Sequence, residues 1–213
     1  MTFIGWIQIL IFFAATLALT KPLGVYLYRV LEAGEPPWGK LGARLEALTF
    51  GAAGVDGKQE QSRLGYTSAL LLFSAAGMLA TYSIARLQHI FPLNSQHLGA
   101  VLPALAFNTA ASFVTNTNWQ SYAGESTMSS LTQMAGLAWH NFTSAATGIG
   151  VALAVARGLT RRPGSEGPKT LGNFWIDLLR VTLFVLLPSC TVLALIFVAL
   201  GVPQTLSAYH AAQ

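Results

Sequence analysis

The stretch Leu98–Val114, LGAVLPALAFNTAASFV, followed by Thr115–Gly124, TNTNWQSYAG, decides how this chain is read. Its first part is apolar enough for a short helix, with Pro103 suited to the first turn, where an N–H would have no intrahelical partner. Fully helical, Leu98–Val114 would reach about 26 Å at ~1.5 Å per residue, marginal against a hydrocarbon core of ~30 Å. Its second part is a run of polar residues without a single charge. Non-helical backbone at membrane depth must be buried in protein or line a watery cavity. A pore-lining hairpin fits these residue types, and so does an extracellular loop that carries a buried helix.

The surroundings place the stretch in a membrane. Residues 1–20, 64–85, 87–124, 126–156 and 181–213 contain no Asp, Glu, Lys or Arg. Only 9% of the chain is charged, against about 25% in soluble domains, and the mean hydropathy is +0.53. The fold class expected from composition is an all-α membrane protein with four transmembrane helices. The crossings fall at about Phe3–Thr20, Leu64–Arg86, Ser126–Ala156 and Phe174–Leu200. No basic residue precedes the first and Lys21 follows it, opposite to a secretory signal, so it is an uncleaved helix with its N-terminus outside.

Two segments, 21–63 and 157–172, hold ten of the twelve Lys/Arg residues. Four crossings put both on one side, which the positive-inside rule makes cytoplasmic. A full crossing by Leu98–Val114 would separate them; a re-entrant turn keeps them together. The organisation expected is therefore 1–63, first helix and cytoplasmic loop with a surface helix near Leu41–Phe50; 64–156, two crossings with the uncharged segment between them; and 157–213, a loop and a last helix.

The same composition excludes other functions. One cysteine, Cys190, supports neither a disulfide framework nor a thiolate zinc site. The glycines form no phosphate-binding loop, and the basic residues form no nucleic-acid stripe. Charge-free spans leave no converging ionisable groups for a membrane enzyme. Neutral carbonyl and amide oxygens suit a dehydrated monovalent cation, whereas Ca²⁺ and Mg²⁺ sites normally recruit carboxylates.

The run Asn108–Glu125, NTAASFVTNTNWQSYAGE, resembles the first selectivity-filter region of the potassium-binding subunit of the bacterial Kdp potassium-transporting P-type ATPase. Leu131–Leu137, Asn141–Gly148, Lys21–Gly24, Pro92–Asn94 and Leu171–Arg180 continue the resemblance along the chain. It implies a potassium-transporter fold built from four membrane–pore–membrane repeats with an extra N-terminal helix, 64–156 being the first repeat, with one re-entrant pore helix and a filter loop at about 115–124. Here the first repeat and the opening helix of a second would be present. The implied function is binding and translocation of K⁺ from the outer side of the bacterial plasma (inner) membrane. The transported ion is K⁺, with no covalently bound cofactor. The chain would not be an enzyme by itself: ATP hydrolysis belongs to a P-type ATPase partner, accompanied by small accessory membrane subunits. Members are more than twice this length, and one loop cannot close a four-loop ring. The chain is therefore read as an N-terminal portion, with a non-transporting assembly stub as the alternative.

The resemblance implies that Thr115, Asn116, Thr117 and Asn118 form the K⁺ filter, with the ion at Asn116, Thr117 and Asn118. Trp119, Gln120 and Gly124 would support it: Trp119 by packing on the pore helix, Gln120 by bonding loop backbone, Gly124 by turning the chain out. Channel filters use a glycine that this quartet lacks. Glu125 suits a helix N-terminus. Elsewhere, Ser144/Gly148 and Ala146/Gly150 are small pairs at helix-packing spacing. His140 suits a buried, hydrogen-bonded role, Asp177 and Arg180 an intrahelical pair or snorkelling toward the cytoplasmic interface, Pro188 a kink, and Cys190 a packed apolar position.

Overall fold

The computed structural model describes residues 2–160 and 170–202. Two compact units divide the chain, Met1–Gly54 and Val55–Gln213. In the first, an apolar helix runs over Phe3–Leu27 and widens into a π-type turn at Tyr28–Glu32. Thr2 caps it, its hydroxyl accepting from the Gly5 amide at 3.2 Å. The sequence-based end at Thr20 is too early. Lys21 and Pro22 lie within the helix, because membrane helices tolerate proline and a lysine stem can lie along apolar surface while its ammonium reaches water. A second helix over Lys40–Ala53 covers the expected surface segment. Gly42 is needed there, since a Cβ would stand 1.9 Å from the Pro37 carbonyl oxygen.

The second unit holds three further apolar helices, over Arg63–Leu87, Thr132–Thr160 and Phe174–Ala199. With Phe3–Glu32 this makes four helices, among the described residues, long and apolar enough to cross a membrane. Arg157 lies inside the Thr132–Thr160 helix and not in the loop to which sequence spacing assigned it. Arg161, Arg162, Glu166 and Lys169 lie outside the described residues.

Hydrogen bonds at the two ends fix the helix directions. At one end the lead-in to Arg63–Leu87 pairs with the lead-in to Phe174–Ala199. Ser62 bridges Thr170 antiparallel, the Gln61 amide donates to Gly172 at 2.7 Å, and the Leu171 amide donates to Gln61 at 3.1 Å. At the other end Gln88, 1% exposed, donates from Nε2 to the carbonyls of Gly99 and Thr127 and accepts at Oε1 from the Ser129 amide and the Thr132 hydroxyl. Arg63–Leu87 and Thr132–Thr160 therefore run antiparallel. The connection between them leaves and returns at the same end.

Inside that connection lies a helix over Pro103–Val114, with Pro103 in its first turn. Its 12 residues span ~18 Å, too short to cross the bilayer core. Leu98–Leu102, expected as helix, is extended lead-in: Asn94 holds the Leu98 amide and carbonyl, and the Val101 amide donates to Ala85. The helix packs through Ala106 and Phe113 on Ala85, Val101, Met128 and Leu137.

A second cluster joins the spans at the opposite end. Arg157 clasps Asp177 in two parallel bonds of 2.7 and 3.0 Å, with the pair's side chains 8% and 2% exposed. Arg157 also donates to the Leu171 carbonyl, and the Tyr66 hydroxyl lies 3.0 Å from Asp177 and 2.8 Å from the Gly150 carbonyl. Asp177 is thus held from another helix, by a partner beyond its own Phe174–Ala199 segment. Spacing alone cannot display a partner twenty residues upstream. Cys190 is exposed on the apolar last helix and not packed against neighbours. Pro188 follows a π-type turn at Val181–Leu186, the widening that accommodates its missing N–H.

Candidate ion-binding loop

The loop after Pro103–Val114 is built on the helix's own C-terminus. Four consecutive amides turn back on it: Asn116 to the Phe113 carbonyl (3.2 Å), Thr117 and Asn118 to the Ser112 carbonyl (2.9 and 3.3 Å), and Trp119 to Ser112 Oγ (3.0 Å). Ser112 Oγ in turn donates to the Trp119 carbonyl at 3.1 Å. This tight reversal needs left-handed backbone, and Asn116 and Asn118 supply it at φ +58° and +54°. Asparagine is the side-chain-bearing residue that best tolerates this region. That answers the missing glycine: the alternating Thr-Asn-Thr-Asn places an asparagine at each left-handed position.

With the amides directed at the helix, the carbonyl oxygens of Thr115, Asn116, Thr117 and Asn118 accept no hydrogen bond among the described residues. The side chains are mostly engaged. Thr115 Oγ1 donates to the Ala111 carbonyl at 2.9 Å, so Thr117 is the donor in the 2.9 Å contact between the two hydroxyls. Asn116 Oδ1 accepts from Asn118 Nδ2 at 3.2 Å and lies 3.4 Å from Ser144 Oγ. All four residues are exposed.

The Ser144 contact gives the depth. Ser144 lies twelve residues in from Thr132, ~18 Å along that helix, and Pro103–Val114 descends about the same distance. The tip at Asn116 is therefore level with the middle of the 29-residue Thr132–Thr160 helix. The chain climbs back through Tyr122, which packs on the core beneath the short helix, to Gly124, whose carbonyl accepts from Gln133.

Two expected supports are placed differently. Trp119 is 82% exposed and packs on nothing; its backbone does the tying, through Ser112. Gly124 has an ordinary negative φ and opens a single helical turn, Gly124–Thr127, with Glu125 in it. Gln120 is exposed. His140 is buried as expected, its Nδ1 3.1 Å from Thr81 Oγ1 and 2.9 Å from the Gly136 carbonyl. Ser144, Ala146 and Gly150 are buried but Gly148 is exposed. The serine that organises the loop, Ser112, escaped sequence reasoning; its only signal was a small hydroxyl one turn before a polar run.

Four helices of spanning length, three of them in a unit that encloses a short helix and its polar return loop, define a multi-pass α-helical membrane protein. Residues 10–213 match the family described as KdpA, potassium-transporting ATPase A subunit. The chain belongs to that family. It is 54% identical over 209 residues to a potassium-transporting ATPase potassium-binding subunit of Mesorhizobium japonicum, covering 98% of this chain and 36% of the relative. Identically named proteins of Methylobacterium nodulans and Rhodopseudomonas palustris are 52% and 51% identical over the same shares. The chain spans about a third of the length of these relatives.

Proposed function

We propose that this chain supplies one filter loop of a K⁺-uptake complex, with the backbone carbonyls of Thr115, Asn116, Thr117 and Asn118 ligating a dehydrated K⁺. The observation that carries this reading is the division of the loop backbone: four amides bind the helix end, and four successive carbonyls are left for another partner. Neutral oxygens in such a row replace a monovalent ion's hydration shell. The side-chain oxygens of Thr115, Asn116 and Thr117 are already engaged, which favours the backbone as the ligand. In this reading Pro103–Val114 is a re-entrant pore helix, and its C-terminal dipole points at the cation, a favourable orientation.

The ion enters from the outer side of the bacterial inner membrane, where the N-terminus also lies. ATP is hydrolysed by a separate P-type ATPase subunit, and small accessory membrane subunits complete the assembly. The chain itself catalyses nothing. Three more loops of the same kind are needed to close the ring.

The test is potassium uptake by the full complex carrying Asn116→Asp or Asn118→Ala. A charge beside the carbonyl row, or loss of the residue best suited to a left-handed position, shifts the apparent KM for K⁺ and lowers discrimination against Na⁺. Unchanged affinity and selectivity in both variants would remove the site.

A further inference from the structure

We infer that Ser112 is the positioning residue that sets ion selectivity in this loop, acting through the loop backbone and not as a ligand. The inference rests on the filter reading above and adds to it a cause for the carbonyl spacing. Ser112 gathers the second half of the proposed row and the residue after it. Its carbonyl takes the Thr117 and Asn118 amides, while its hydroxyl closes a two-way bond with Trp119, accepting at 3.0 Å and donating at 3.1 Å. No other residue of the short helix holds more than one loop amide.

The hydroxyl has no slack. It is 9% exposed, its proton goes to the Trp119 carbonyl, and its lone pair receives the Trp119 amide. Removing it leaves both backbone groups of Trp119 unpaired, in a segment level with the middle of the neighbouring span. Unpaired backbone at that depth reorganises to find a partner. Relaxation of the freed Trp119 groups toward another partner would move the backbone beside Asn118, and with it the oxygens of the row. Selectivity depends on the number and spacing of those oxygens; transport capacity depends on it less.

The experiment uses the assembled transport complex and measures its K⁺-, Rb⁺- and Na⁺-stimulated ATP hydrolysis. The variants are Ser112→Ala, Ser112→Cys and Ser112→Thr. Cysteine nearly preserves volume but hydrogen-bonds weakly, and threonine keeps the hydroxyl. Alanine and cysteine should each raise the KM for K⁺ about tenfold, as two backbone bonds are lost. They should lower the K⁺/Na⁺ ratio while kcat changes much less, and threonine should retain most of the wild-type ratio. Wild-type selectivity in the cysteine variant would overturn the inference. So would a loss of kcat alone, or equal damage from cysteine and threonine, because a purely structural role predicts those outcomes. Where the alanine variant does not assemble, the cysteine–threonine comparison still decides. If Asn116→Asp and Asn118→Ala alter affinity while the Ser112 variants do not, the filter stands and Ser112 falls; if none of them does, both fall.

Discussion

Replacing Arg157 with methionine should destabilise this protein more than any exposed charge substitution. Arg157 and Asp177 form a two-bond pair at 2.7 and 3.0 Å, 8% and 2% exposed. Methionine keeps much of the arginine stem's apolar volume but removes the guanidinium. That leaves a buried carboxylate with the Tyr66 hydroxyl at 3.0 Å, and it removes a donor from the Leu171 carbonyl. Breaking a buried pair by deleting one partner costs about 3–5 kcal/mol. For a chain of this size each kcal/mol lowers the midpoint by roughly 2–4 °C, so a fall of about 6–20 °C follows. The assay is heating of detergent-solubilised protein with the monodisperse fraction followed by gel filtration. The double variant Arg157→Met/Asp177→Leu should recover most of the loss, because apolar replacement of a whole buried pair is often near neutral. A fall of under about 2 °C in the single variant, or a double variant worse than the single, would refute the reasoning.

Gly172→Ala should weaken the same junction: its φ is +94°, and a Cβ would lie 2.2 Å from Arg157 Nη1. Left-handed strain alone costs ~1–3 kcal/mol, so the same heating assay should show a clear loss. Gln88→Leu strips four partners at the opposite end. With each buried group left unsatisfied costing ~1–3 kcal/mol, the 88–131 connection should become open to limited proteolysis, while the control Gln96→Leu, at an exposed glutamine, stays resistant. Asn116→Gly should keep K⁺ affinity within about threefold, whereas Asn116→Val should lose it. Glycine adopts positive φ without cost, and a β-branched residue is a true outlier there. Equal affinity in the two variants would contradict the left-handed loop.

Much of the fold was legible because membrane insertion writes itself into composition. A helix in lipid needs an unbroken apolar run, so Arg63–Leu87 and Phe174–Ala199 fell within a residue or two of their sequence-based limits. Pro103 announced the start of the short helix for a similarly local reason. The boundaries that failed were those where a neighbour intervenes. Lys21 and Pro22 look like a helix end, yet the helix continues; Ser126 looks like the start of the third span, yet Gln88 holds residues 127–132 and the helix begins at Thr132.

The candidate loop divides in the same way. Its position, neutrality and two asparagines are properties of the sequence, since left-handed tolerance belongs to the residue type. Which oxygens are left without a hydrogen-bond donor does not. That depends on Ser112 gathering the amides and on Ser144 meeting Asn116 from another helix, contacts made across turns and across 28 residues of chain. The sequence alone established that the chain enters lipid and where an uncharged segment interrupts it, because solvation by hydrocarbon acts on each run independently. Only the tertiary structure decided that Asp177 belongs to Arg157, that Trp119 acts through its backbone, and that the loop presents carbonyls. Hydrogen-bond partners are chosen by proximity in space, and proximity follows from how the helices pack.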